Sequence, residues 1–130
     1  MTEGFDAGGR HLPHAAPIDA YGNGGFRFAG MSHKGSLLCL RQAIVAWDAT
    51  SVDALVPASF RLIFSEGSGR IGFVLLGTGR ANLHPSTEIR RAFTEAGIGL
   101  DIMDTGAACR TYNVLLAEGR PVAAALLAVD

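Results

Sequence analysis

The chain has 130 residues, 48% of them hydrophobic and 18% charged, with a formal net charge of -1. That length suits one domain and not two, and the composition is that of a packed globular chain rather than a disordered one. The near-neutral charge argues against a nucleic-acid binder, and no apolar run approaches the ~20 residues that a membrane helix needs.

Met1 to Pro17 is rich in Gly, Ala, His and Pro and shows no hydrophobic period, so it reads as a flexible N-terminal tail ahead of a single domain over residues 18–130. Glu3 and Asp6 stand where a signal peptide would carry basic residues, and no apolar segment follows them. With Cys39 and Cys109 in neither a C-x-x-C nor a zinc spacing, the expectation is a cytoplasmic protein with two reduced, buried thiols. His11 and His14 are three apart, but Pro13 disfavours a helix there and no further ligand is near, so no metal site is expected.

From Ile18 the chain becomes ordered. Tyr21, the glycines at 22, 24 and 25, and Phe26-Arg27-Phe28 suggest a turn followed by an alternating strand. Gly35 to Leu40 and Ala43 to Trp47 are two further strand-like runs. Together these predict one antiparallel unit with Phe26, Phe28 and Trp47 as anchors, and Met31 to Gly35 as a solvated turn holding His33 and Lys34. Pro57 fits a first helical position, with Phe60, Ile63 and Phe64 following at helical spacing until Gly67.

The second half reads strand–helix–strand–helix–strand. Ile71 to Leu76 is a continuous apolar run, as in a strand covered on both faces. A helix follows Pro85, with Ile89, Ala92, Phe93 and Ala96 on its apolar face and Gly97 as its stop. Ile98 to Met103 is the next strand. Asp104 or Thr105 caps a helix that buries Ala108, Tyr112, Leu115 and Leu116 and ends at Gly119 and Pro121. Val122 to Val129 is the last strand, its alanines leaving room for a close helix. The first two strands of this half are expected to be parallel.

Both strand-to-helix junctions would meet in one crevice, the usual working position of α/β proteins. Gly77-Thr78-Gly79 resembles the start of a dinucleotide fingerprint, but Asn82 fills the third glycine position and no Walker A sequence exists, so no cofactor is expected. The candidate ligand or partner crevice is Gly77, Thr78, Gly79, Arg80, Asp104, Thr105, Arg110, Tyr112 and Asn113, with the two arginines able to hold an anion or a partner's acidic side chain. Asn113, if buried, needs a hydrogen-bond partner such as a loop backbone. Cys109 lies in the first turns of a helix but has no sequence pattern tying it to a histidine. No Ser-His-Asp, H-E-x-x-H or paired-carboxylate pattern is present, and no catalytic residue is assigned.

VLLGTGR at 74–80, GIGLDIMDTGAACRTYNVLLAEGR at 97–120 and VAAALL at 122–127 resemble the small-domain family shared by mitochondrial complex I assembly factor three, the adipogenesis-associated single-domain proteins and uncharacterised bacterial and archaeal proteins. Gly25-Phe26, Gly30 and Trp47 fit the same pattern. The resemblance covers about Ile18 to Val129. It implies a three-layered α/β fold: a central mixed sheet with helices on its faces and an added antiparallel β-hairpin layer. It also implies a non-enzymatic role, the binding of unidentified protein partners such as subunits of a membrane complex during assembly, without insertion into the membrane. The alternative is a small-molecule or anion-binding protein, or an enzyme, using the crevice around Gly77–Arg80 and Asp104–Arg110.

Overall fold

The computed structural model describes residues 10–12 and 14–130, with the side chains of Arg10 and His11 outside the described part. Of the expected tail, residues 1–9 and Pro13 likewise lie outside it. Nine strands and three helices follow in order: β1 (Arg10–Leu12), β2 (Ala20–Gly22), β3 (Gly25–Phe28), β4 (Met31–Lys34), β5 (Ser36–Cys39), β6 (Ile44–Trp47), α1 (Arg61–Glu66), β7 (Phe73–Gly77), α2 (Thr87–Ala96), β8 (Gly99–Met103), α3 (Thr105–Ala117) and β9 (Val122–Leu126). Within the stretch expected to be tail, Arg10–Leu12 pairs with β6 as a short edge strand.

A six-stranded mixed sheet runs in the order β1-β6-β5-β9-β7-β8, and a second, antiparallel sheet is β2-β3-β4. β7 is parallel to both β8 and β9. β9 is antiparallel to β5, which joins the two halves of the chain. The two innermost strands, β5 and β9, are buried along their whole length: β9 is Val-Ala-Ala-Ala-Leu. Such strands need cover on both faces.

Two cores supply that cover. One lies beneath α1, α2 and the 3-10 turn Pro57–Phe60, where Phe60 and Phe93 meet edge-on at 5.1 Å between ring centres and Phe64 and Phe93 at 4.8 Å. Edge-on pairs suit the ring quadrupoles. The other lies between the opposite face of the main sheet, α3 and the three-stranded sheet, around Phe28, Leu37, Leu75 and Tyr112. Three layers result, as the resemblance implies.

Two details differ from the expectation. Phe26 and Phe28 belong to the second core and Trp47 to the first, so they do not anchor one unit. Met31 to Lys34 is strand β4, not a turn. It is an edge strand in which exposed and half-buried residues alternate, so it has almost no apolar signature of its own. His33 is half-buried there, and its Nε2 meets the Ser36 carbonyl at 3.0 Å. Burial lowers its pKa, against the opposing effect of that hydrogen bond.

The helix ends follow their local chemistry. Ser86 Oγ accepts from the Ile89 amide, so α2 begins at Thr87, and Gly97 adopts the left-handed conformation at φ 72° that closes it. At the end of α3, Gly119 has φ 74° and the Arg120 amide bonds back to the Leu115 carbonyl, before Pro121 prevents continuation.

Candidate functional site

The two junctions β7–α2 and β8–α3 do meet. Gly77 ends β7 against the start of α3: a Cβ there would lie 3.0 Å from Thr105 Cα and 3.1 Å from the Leu126 side chain. Absence of a side chain is thus what lets α3 approach. Gly79 has φ 98°, a conformation that favours glycine.

Thr105 joins three segments from a fully buried position. Its hydroxyl accepts from the Gly79 amide at 2.9 Å and donates to the Leu127 carbonyl at 2.7 Å, while its own amide donates to the Gly79 carbonyl at 2.8 Å. Asp104, not Thr105, caps α3: its Oδ1 accepts from the Ala107 amide at 2.8 Å. Thr78 is also buried. Its amide donates to the Met103 carbonyl and its hydroxyl accepts from the Leu83 amide at 3.1 Å and donates to the Ala81 carbonyl. The amides of Thr78 and Gly79 are therefore spent within the fold, which leaves this turn poorly suited to cradle a phosphate.

The open part of the site lies further out, beside Tyr21 of β2. Gly106 lies under Tyr21, and a Cβ at Gly106 would run into the phenol. Two clefts flank this contact. One, of about 320 Å³, has Tyr21, Gly79, Arg80, Asp104 and Gly106 among its walls; the other, of about 380 Å³, has Tyr21, Asp19, Cys109, Arg110 and Asn113. Arg80 donates to the Asp130 main-chain oxygen at 2.9 Å. Arg80 and Arg110 are exposed and border different clefts, so they do not converge on one point.

Asn113 makes a double hydrogen bond to one residue. Its Oδ1 accepts from the Ile18 amide at 2.8 Å and its Nδ2 donates to the Ile18 carbonyl at 2.7 Å, which ties the approach to β2 onto α3. Replacing Asn113 with Ala is expected to cost about 1–3 kcal/mol, because it orphans both main-chain groups of a buried residue. Faster amide exchange at Ile18 than at neighbouring positions, in a protein that is still folded, checks this.

Tyr112 does not border either cleft. It is fully buried in the second core, with its hydroxyl lacking a well-formed hydrogen bond and the Cys39 thiol as its ionisable neighbour. Burial first, and Cys39 second, push its pKa upward. Burial also raises both thiols, Cys109 to about 12 even with Arg110 favouring the thiolate. Cys109 therefore lacks the thiolate character of a nucleophile. Its native alkylation at pH 8 should be on the order of a thousandfold slower than in denaturant. A thiol whose folded pKa is raised holds its proton longer when folded, so stability falls as pH rises above its ordinary value near 9. A titration of melting temperature from pH 8 to 11 should fall less steeply for Cys109→Ala.

Tyr21 and Ile18, expected only as turn and domain-start residues, and Gly106 complete the site beside the predicted crevice residues. The one available sequence signal for this was Gly106 itself, a glycine in the first turn of a helix. Among the described residues no three His, Cys, Asp or Glu side chains are grouped to hold a metal, and no helix is long and apolar enough to cross a membrane.

A three-layered mixed α/β domain whose strand-to-helix turns are locked by buried threonines defines the class. The chain belongs to the family described as protein of unknown function DUF498/DUF598, whose model matches residues 18–127. An uncharacterized protein from Rhodobacter capsulatus is 40% identical over 113 residues, covering 87% of this chain and 85% of its own. NADH dehydrogenase [ubiquinone] 1 alpha subcomplex assembly factor 3 from Mus musculus is 36% identical over 89% of this chain, which spans only 62% of that protein's length. The crystal structure of an outer membrane protein from Bartonella henselae superposes with a TM-score of 0.88 at 48% identity, covering 92% of this chain and all of that one. The resemblance to the family of assembly factor three and its uncharacterised bacterial relatives is thereby established.

Proposed function

We propose that this protein is a non-catalytic, cytoplasmic interaction module that helps a membrane-bound respiratory complex assemble, by holding subunits through its protein surface. The observation that carries the reading is the relationship to an NADH dehydrogenase assembly factor over 89% of the chain. The internally satisfied turn at Thr78 and Gly79 and the protonated, buried Cys109 add support, since neither group is left to do chemistry. Reduced, buried cysteines accord with a cytoplasmic setting.

The test is an affinity capture of the tagged protein from its native cells, membranes included, read by mass spectrometry beside an Arg80→Glu/Arg110→Glu control. Respiratory-complex subunits recovered with the native form are the expected result, and their loss with the control would put the contact near Tyr21. Recovery of no specific protein by either form would overturn the reading. A second reading, an anion or small-molecule site, draws on the clefts beside Tyr21, each bordered by an exposed arginine. A thermal-shift screen of nucleotides and small acids, in which the charge-reversed control fails to respond, is the result that reading requires.

A further inference from the structure

We infer that the outer edge of β8 is a docking site for an extended segment of a partner protein, one that carries a lysine or arginine opposite Asp101. The inference rests on the interaction-module reading and names the chemistry of its partner.

β8 ends the main sheet, with β7 on one side and no strand on the other among the described residues. Its main-chain bonds follow a parallel ladder in which the Gly99 amide donates to the Gly72 carbonyl and the Met103 carbonyl accepts from the Thr78 amide. With Phe73 opposite Gly99 and Gly77 opposite Met103, the alternation turns the main-chain groups of Gly99, Asp101 and Met103 toward β7. Those of Leu100 and Ile102 point away from the sheet. Two amides and two carbonyls therefore face outward from a strand that keeps regular register over its five residues. Only another extended backbone matches that array.

The opposite end of the sheet is blunted in the usual ways. β1 is three residues long and its pairing with β6 is irregular. β8 has no such protection beyond a single charge, the exposed Asp101 at its centre. That charge also decides who can dock. Antiparallel pairing of β8 with a second copy, in the register of fullest overlap, sets Leu100 against Ile102 and Asp101 against Asp101. Like charges directly opposite one another are destabilising, and opposite charges stabilise. Asp101 thus closes the edge to self-pairing and leaves it complementary to a strand with a cation at the matching position.

Copies of this chain serve as the probe. Asp101→Lys converts one copy into a strand with the required cation. Sedimentation of native protein, of Asp101→Lys protein and of their equimolar mixture should show association in the mixture at least tenfold tighter than in either component alone, weakened by salt. Placing Ile102→Pro in the lysine-bearing copy removes an outward amide without touching the β7 ladder, and should abolish that association. Circular dichroism verifies that this variant is folded. If it is not, Leu100→Pro removes the other outward amide. A mixture that associates no more than its components, or association that survives the proline, overturns the inference. Either result would leave intact any partner recovered by affinity capture, so failure of the docking edge is distinct from failure of the assembly role.

Discussion

Phe93→Ala should lower the free energy of unfolding by about 3–5 kcal/mol, the usual range for removing a large aromatic side chain from a core. Phe93 is 1% exposed and sits between Phe60 and Phe64, with ring centres at 5.1 and 4.8 Å. It projects from α2 and ties that helix to the 3-10 turn and α1. Phe60 cannot move into the void without leaving Trp47, on which it packs at 5.6 Å. A domain of this size is commonly stable by only about 5–15 kcal/mol, so the loss is a large fraction of the whole. Thermal unfolding should shift down by about 10–20 °C. Phe93→Leu, which keeps most of the volume, should recover more than half of the difference. A shift of only a few degrees for the alanine variant would mean that the helical layer contributes little to the cooperative fold.

Thr105→Val should also be costly, about 1–4 kcal/mol, although it preserves shape and adds no volume. The variant strips the acceptor from the half-buried Gly79 amide and the donor from the buried Leu127 carbonyl, and an orphaned buried group costs about 1–3 kcal/mol, the cleft-side Gly79 amide less because water can reach it. Thr105→Ser keeps both hydrogen bonds and loses one buried methyl, so it should stay within about 1 kcal/mol of the native protein. Chemical unfolding of the three proteins separates hydrogen bonding from packing. Equal stability of the valine and serine variants would contradict the role given to the hydroxyl. The same comparison bears on the site: the Gly79 amide is committed to Thr105 and the Thr78 amide to the Met103 carbonyl, so the junction holds its own turn in place beside Tyr21.

How far each feature could be read from the sequence depends on how local its cause is. β7, α2, β8, α3 and β9 are marked by apolar runs, by Pro85 ahead of α2 and Asp104 or Thr105 ahead of α3, and by Gly97 and Gly119 as stops, all within a few residues of the feature they set. The strand over Met31–Lys34 is marked by nothing local. Its alternation of half-buried and exposed residues follows from pairing with β3, a tertiary event. β1 is similar, three residues whose strand pairing is to β6, across the sheet. The site shows the same division. A cap at Asp104 or Thr105 is legible because its partner, the Ala107 amide for Asp104, is only a few residues away. The role of Thr105 is not, because its partners at Gly79 and Leu127 lie on neighbouring elements. The need of Asn113 for a loop backbone follows from its position in a helix. That the loop residue is Ile18, from the other end of the chain, follows only from the packing of the three-stranded sheet beside α3.

The proposed role in assembly is tested most directly by the amount of intact respiratory NADH dehydrogenase in membranes of cells lacking the protein. Native gel electrophoresis with an in-gel NADH oxidation stain reads it. The expected result is a severalfold loss of assembled complex with accumulation of subassemblies, restored by the native protein and not by a form that fails to capture subunits. Unchanged amounts of complex in the deletion strain, assembled at the normal rate after induction, would contradict it.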